Sequence, residues 1–273
     1  MIKNKISIST AENSDSNSPI LLNGSIEKNI NQAHKMGYDA IEIHMRENEL
    51  RGVDLKILKK LMKEKKISIS AIVTGKLFTE GKCSLLAEEP YILDATLNGI
   101  FEYIDIASKL NTNLIIGWLK GKILDENKRH KSLERLAMNV EVIDKEAERR
   151  GVRLFFEAIN RYETNLFNTC DEILQFIDSY RFSNSFVHLD TFHMNIEERN
   201  LVEAIILAGN RLGYIHFADN NRYYPGYGSI DFVNILKALK DISYSGYISV
   251  ECLPFPNADI AAKKSLNYIR EIL

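Results

Sequence analysis

Along the chain, short runs rich in Ile, Val, Phe and Tyr alternate with longer stretches whose apolar residues recur at helical spacing. Eight runs read as strands: 4–9 (NKISIS), 39–44 (DAIEIH), 67–73 (ISISAIV), 113–118 (NLIIGW), 152–157 (VRLFFE), 186–190 (FVHLD), 213–217 (GYIHF) and 246–251 (GYISVE). Several follow a Gly or Asn suited to end a helix. Between them, helical patterns fall at about 25–37, 54–65, 90–110, 127–150, 171–180, 198–209, 231–241 and 258–272. Entry signals accompany them. Ser25 with Glu27, Asp171 with Glu172, and Asp231 ahead of FVNILKAL read as N-caps with acidic first turns.

Near-continuous apolar strands separated by helices predict a parallel sheet covered on both faces. Eight such units in 273 residues predict an α/β fold, one (β/α)₈ TIM barrel over 1–273, rather than an open doubly wound sheet. Neither GxGxxG nor GxxxxGK[ST] occurs, and no linker-like stretch divides the chain.

Composition narrows the picture. The chain is 45% hydrophobic, and 35 basic against 37 acidic residues leave a net charge of −2. Such a balance offers no electrostatic footprint for nucleic acid or an anionic membrane. No run approaches the ~18 apolar residues of a membrane helix. The opening MIKNKISIST has no apolar core or small-residue cleavage site, and three widely spaced cysteines fit no disulfide or zinc framework. The expectation is a soluble cytoplasmic protein with neither membrane nor nucleic-acid partner.

In such a barrel the chemistry sits where the strands finish. Four consecutive predicted strands end in groups an apolar strand does not otherwise tolerate: Glu157, Asp190, His216 and Glu251. A carboxylate buried at a barrel rim is costly unless paired, protonated or bound to a cation. Three carboxylates and one imidazole converging on one point satisfy each other best around a divalent metal. Three oxygens and one nitrogen favour Mn²⁺, with Co²⁺, Mg²⁺ or Zn²⁺ as alternatives.

Further polar residues follow these ends. Asn160, Arg161 and Glu163 come after Glu157, His193 and Asn195 after Asp190, and Asp219, Asn220 and Arg222 after His216. All lie in predicted βα loops, where binding groups are presented. Gly226 and Gly228 read as turn glycines. Glu42 and His44 alternate on the second strand and share a face, open to either pocket lining or buried pairing. His188 reads as a satisfied core histidine and Cys252 as a buried thiol pointing away from the pocket. Trp118 and Phe78 are open to walling a sugar or to rim packing, and Lys120 and Lys122 to a solvated loop or a phosphate contact.

The stretches EAINRYETN (157–165), HLDTFHMNIEE (188–198), HFADNNR (216–222) and SVE (249–251) resemble the xylose-isomerase-like barrel superfamily. Within it they resemble the sugar phosphate isomerase/epimerase group related to D-tagatose/D-psicose 3-epimerase. The likeness covers the chain from about residue 65 onward, and the first two strands only through their pattern. It implies that Glu157, Asp190, His216 and Glu251 hold one divalent metal, with Mn²⁺ first. It also implies that Glu157 and Glu251 move the proton, and that Glu163, His193 and Arg222 hydrogen-bond the sugar.

The implied reaction is epimerisation of a ketose through a cis-enediolate, Glu157 removing a proton from one face and Glu251 returning one to the other. Aldose–ketose or hydroxypyruvate-type isomerisation and inosose-type dehydration use the same constellation. An endonuclease IV-like metallohydrolase needs more histidines than the six present, of which His34 and His130 fall in predicted helices. Binding without catalysis leaves two carboxylates beside a metal unexplained. Relatives form dimers or tetramers, so a homo-oligomer is expected. Two departures leave the sugar open: ISIST stands where ketohexose epimerases have an aromatic-rich first strand, and FADNNR where they carry a TGE-like stretch.

Overall fold

The computed structural model describes residues 4–46, 50 and 53–273. Eight parallel strands form a closed ring: β1 (Lys5–Ala11), β3 (Ala40–His44), β4 (Ser68–Val73), β5 (Leu114–Ile116), β6 (Leu154–Glu157), β7 (Ser185–Asp190), β8 (Leu212–Phe217) and β9 (Tyr247–Val250). The ring shuts where β9 pairs with β1, Val250 opposite Ile8. A two-residue strand, β2 (Leu22–Asn23), adds to the upper end of β1. The fold is therefore the TIM barrel that the eight alternating units predict.

Eight long helices wrap the ring: α1 (Ile26–Met36), α2 (Leu55–Lys65), α4 (Pro90–Leu110), α5 (Arg129–Arg149), α6 (Cys170–Tyr180), α8 (Leu201–Ala208), α9 (Phe232–Asp241) and α10 (Ala258–Ile272). Strand residues such as Ile8, Ile41, Ile116, Phe156, Leu189 and Val250 bury fully in a large core with these helices. Side chains of the opposite parity fill the barrel itself, where Ala71, Val73, Ile115, Phe155 and Tyr214 form a second cluster. Phe155 stacks on Tyr214 with ring centroids 5.7 Å apart. That interior is partly polar. Ser70 Oγ lies 2.6 Å from Ser7 Oγ and 2.7 Å from the Tyr214 hydroxyl.

Capping follows the sequence at Ser25 and Asp231, whose side chains accept from the backbone of Lys28 and Asn234. Each such cap contributes about 1 kcal/mol. At α6 the cap is Thr169, not Asp171. Thr169 Oγ1 accepts from Glu172 N, and Asp171 instead places its charge in the first turn. Two helices, α3 (Gly75–Thr79) and α7 (Thr191–Glu197), lie in βα connections. Five and seven residues are too few for helical periodicity to show. All three cysteines are buried and none forms a disulfide. Cys252 is fully buried against α10, with Ser265 beside it. Among the described residues no helix is long and apolar enough to cross a membrane.

Candidate active site

Strands β6, β7, β8 and β9 are neighbours in the ring, so their C-terminal ends bring Glu157, Asp190, His216 and Glu251 together. Glu251 is the first residue beyond β9, and all four are buried. His216 Nδ1 faces Glu251 Oε2 at 3.5 Å, Asp190 Oδ2 at 3.7 Å and Glu157 Oε1 at 3.9 Å. It is buried without a hydrogen-bond partner. Its other nitrogen, Nε2, lies 2.7 Å from Glu42 Oε2. A carboxylate that takes the N–H of one ring nitrogen leaves the other as a lone-pair donor, the arrangement common behind metal-bound histidines.

Glu42 is thus no pocket wall. Fully buried on β3, it reaches His216 with one oxygen and His44 Nε2, 3.1 Å away, with the other. His44 does line the pocket, 3.4 Å from Glu251 Oε1. Arg222 donates from Nη1 to Asp190 Oδ2 at 2.7 Å and from Nη2 to Glu251 Oε2. Its guanidinium lies 4.7 Å from the centre of the Phe192 ring.

Lys120 overturns the open reading of it as a loop cation. It is fully buried, and Nζ donates to the carbonyls of Gly117 and Glu157 at 3.1 Å each. Burial pulls its pKa down to about 8, against the opposing pull of Glu157. Within this buried zone four carboxylates, including Glu42, face two fixed cations, Arg222 and Lys120. The acidic groups outnumber these cationic side chains by two, an excess that one divalent cation would suit.

The proton affinities of the two outer carboxylates diverge. Burial, then the charge of Glu251, pushes Glu157 up to about 8. Burial also raises Glu251, but His216 and Arg222 outweigh it and hold that carboxyl below its ordinary value. Burial likewise opposes ionisation of Asp190, and Arg222 and His193 hold it far below the carboxylate range. Burial disfavours the charged form of His216, yet Glu42 and Glu251 raise its pKa well above the usual histidine value. A cation at the centre of the quartet would compete with those protons.

Among the described residues, three triples have potential donor atoms within 4.8 Å of one another: Glu157–His188–His216, Glu42–His216–Glu251 and Glu157–Asp190–His193. His188 is indeed a core histidine, but not a satisfied one. Neither of its nitrogens has a partner, and its ring centroid lies 4.2 Å from that of His216.

The groups expected to hold a sugar line one pocket with Glu157 and Glu251. His193, on α7, sits 2.7 Å from Asn160 Nδ2 through Nδ1, and the same amide donates to Glu163 Oε1 at 2.9 Å. A donor at Nδ1 fixes the tautomer with its proton on Nε2. Burial lowers the His193 pKa to about 4, so the ring is a neutral N–H donor aimed into the pocket. Trp118 Nε1 donates to Glu163 Oε2 at 3.2 Å, fixing the second oxygen. Phe78 packs behind Trp118, ring centroids 6.5 Å apart.

Other loop residues do not reach the site. Arg161 pairs with Glu197 at the surface. Asp219 accepts from Gly226 N and Ile230 N, stapling the loop that carries Arg222. Gly226 has a positive φ of 87° and Gly228 lies in the same turn. His34 and His130 are exposed on α1 and α5, far from serving a multi-metal cluster.

The sequence model of the family described as "xylose isomerase-like TIM barrel" matches residues 30–272. An L-ribulose 3-epimerase of Methylomonas sp. is 32% identical over 227 residues, covering 82% of this chain and 77% of the relative. A D-psicose 3-epimerase of Enterocloster bolteae is 32% identical over 232 residues, covering 82% and 76%. A solved L-ribulose 3-epimerase superposes with a TM-score of 0.85 at 26% identity, covering 99% of this chain and 95% of that one.

Proposed function

Because the chain belongs to the xylose isomerase-like TIM barrel family, with ketose 3-epimerases among its relatives, we propose that it is a metal-dependent ketose 3-epimerase. The observation that carries the reading is His216 Nδ1, buried, unpartnered and surrounded by Glu157, Asp190 and Glu251. These four residues would hold the ion, Mn²⁺ by preference. When bound, a divalent cation supplies Lewis acidity to the substrate's carbonyl and adjacent hydroxyl oxygens, stabilising the charge that develops there.

The chain's own residues do the rest. One carboxylate takes the proton from C3, and the C–H electron pair moves toward the C2 carbonyl to give a cis-enediolate. The other carboxylate, on the opposite face, delivers a proton to C3 as the carbonyl re-forms. Inversion requires one carboxyl protonated and one ionised at the start. In the metal-free site the two carboxylates already differ in proton affinity, Glu157 pushed up to about 8 by burial and Glu251 held low by His216 and Arg222. Which group begins depends on which epimer is bound. His193 Nε2–H and Arg222 would orient the oxygens around C2 and C3, and Glu163 a more distal hydroxyl.

Incubation of Mn²⁺-loaded protein with D-psicose, D-tagatose, D-fructose and L-ribulose in D₂O, followed by NMR, tests this. Deuterium at C3 is expected. Deuterium confined to C1 would make the enzyme an aldose–ketose isomerase, and none in any ketose, with metal bound, would overturn the proposal.

A further inference from the structure

The pocket extends well past the proton-transfer carboxylates. Its inner part is formed by His44, Glu157, His193, Arg222 and Glu251, with Trp118 and Glu163 alongside. An outer chamber continues between the loop after β1, at Asn13–Asp15 and Ser18–Ile20, and α3, at Gly75, Lys76, Thr79 and Glu80. The whole is a partly open cleft of about 470 Å³. A six-carbon ketose consists of six units of one carbon and one oxygen. At about the ~30 Å³ share of a liquid water each, it fills roughly 180 Å³. More than half of the space therefore lies beyond a free ketose seated at the carboxylates.

The charges of the outer chamber say what belongs there. Arg46 Nε pairs with Glu80 Oε2 at 3.0 Å, and Lys76 Nζ donates to the Asn13 carbonyl. Asp15 adds a second negative charge from the loop after β1, so the signs among these four lining residues balance. A phosphate is held by several cationic donors converging on it, and here both cations are already engaged. Arg222, the third cation lining the pocket, is held by Asp190 and Glu251, and Lys120 is buried with its ammonium on two backbone carbonyls. The rest of the chamber presents hydroxyl, amide and small apolar groups, as at Ser14, Ser18, Thr79 and Pro19. Trp118, 40% exposed, stands at the junction, where its ring can pack on the C–H face of a pyranose.

We infer that the substrate is an uncharged keto-disaccharide, its hydroxyketone at Glu157 and Glu251 and its second sugar ring in the outer chamber. This rests on the epimerase reading and names its substrate class.

The test compares deuterium uptake from D₂O by the Mn²⁺-loaded protein for D-fructose, D-fructose 6-phosphate, isomaltulose and 3-ketosucrose. It is repeated with Gly75→Phe. Gly75 lines the chamber, and a Cβ there would meet no atom within 4 Å, so a side chain can be added at this point of the lining without a clash at the Cβ. At least one keto-disaccharide is expected to exchange with kcat/KM about tenfold or more above D-fructose. Gly75→Phe should cut that ratio by about tenfold or more. If D-fructose matches or exceeds both disaccharides, or if D-fructose 6-phosphate is fastest, the inference fails while the epimerase reading stands. Absence of exchange with all four removes the inference, and the epimerase reading then stands or falls on the panel of free ketoses above. Should Gly75→Phe not fold, the wild-type ranking decides alone.

Discussion

Glu42 on β3 accepts a hydrogen bond from Nε2 of His216 on β8, 2.7 Å away across the barrel interior, and so leaves Nδ1 facing the three carboxylates. The two strands are separated in the ring by β1 and β9, so no backbone pairing holds the residues together. The contact is a side-chain device for setting one imidazole's tautomer and angle.

Glu42→Gln replaces a charged acceptor with a neutral amide of the same shape. Mn²⁺ affinity should fall by roughly 10–100-fold, as for other partners behind metal-bound histidines. Calorimetric titration checks this, and an unchanged Kd would assign Glu42 to packing alone.

Glu157→Gln and Glu251→Gln each remove a proton acceptor. Deuterium entry at C3 should drop on the order of 10³-fold in either variant. Metal content measured alongside separates lost chemistry from lost metal. Full turnover in Glu251→Gln would sink the two-carboxylate scheme.

Protons and metal compete for the same atoms. Glu157 is pushed up to about 8 and His216 lies well above its usual value, so both carry protons that a cation must displace. Apparent Mn²⁺ affinity should therefore rise with pH from about pH 6 through pH 8. Titrations in buffers of different ionisation enthalpy should show net proton release. An affinity flat across that range would contradict the assignment.

Gly117 lies against Glu157. A Cβ on residue 117 would stand 2.5 Å from Glu157 Oε2, which is not the far end of a freely movable chain because that oxygen sits inside the site. Gly117→Ala should lower kcat by about tenfold or more by displacing the carboxylate. Circular dichroism and Tm would show whether the barrel remains intact, and unaltered kcat would show that Glu157 tolerates the shift.

Asp144 on α5 is buried beneath β7, its Oδ1 accepting from Ser185 Oγ at 2.5 Å, and burial raises its pKa. The native state then keeps the proton to a higher pH than the unfolded chain. Stability is therefore lost as pH rises from the ordinary aspartate value through the raised one. Asp144→Asn should raise Tm at about pH 8 and change it much less at about pH 4. Equal shifts at both would assign the effect to packing.

Much of this was written in the pattern of the chain. Eight β-rich runs became the eight ring strands because each is short and carries a row of Ile, Val, Leu or Phe that packs under the helices, and that signal needs no tertiary information. Glu157, Asp190, His216 and Glu251 were legible because a charge at the end of such a strand is conspicuous. Lys120 was not, because nothing local says that a loop lysine will fold under Glu157 and satisfy itself on carbonyls. The role of Glu42 depends on a partner 174 residues away. Its signal, a carboxylate alternating with His44 inside an apolar strand, marked an unusual position without identifying what it touches. Asp219 and Arg161 looked like ligand groups because polarity in a βα loop does not distinguish a residue that binds from one that staples the loop.

The Glu42–His216 bond also bears on how the chain assembles. Strands β6 to β9 carry all four groups of the quartet, yet the residue that orients the imidazole arrives from near the N-terminus. A half-barrel formed from the later strands would display the carboxylates with His216 free to turn. Its nitrogen takes the productive direction only once β1 has zipped against β9 and carried β3 into place. A cation that binds the finished ring better than the open one would favour the closed form by mass action. Metal uptake would then act as a latch on ring closure, and its onset during refolding would time the last seam.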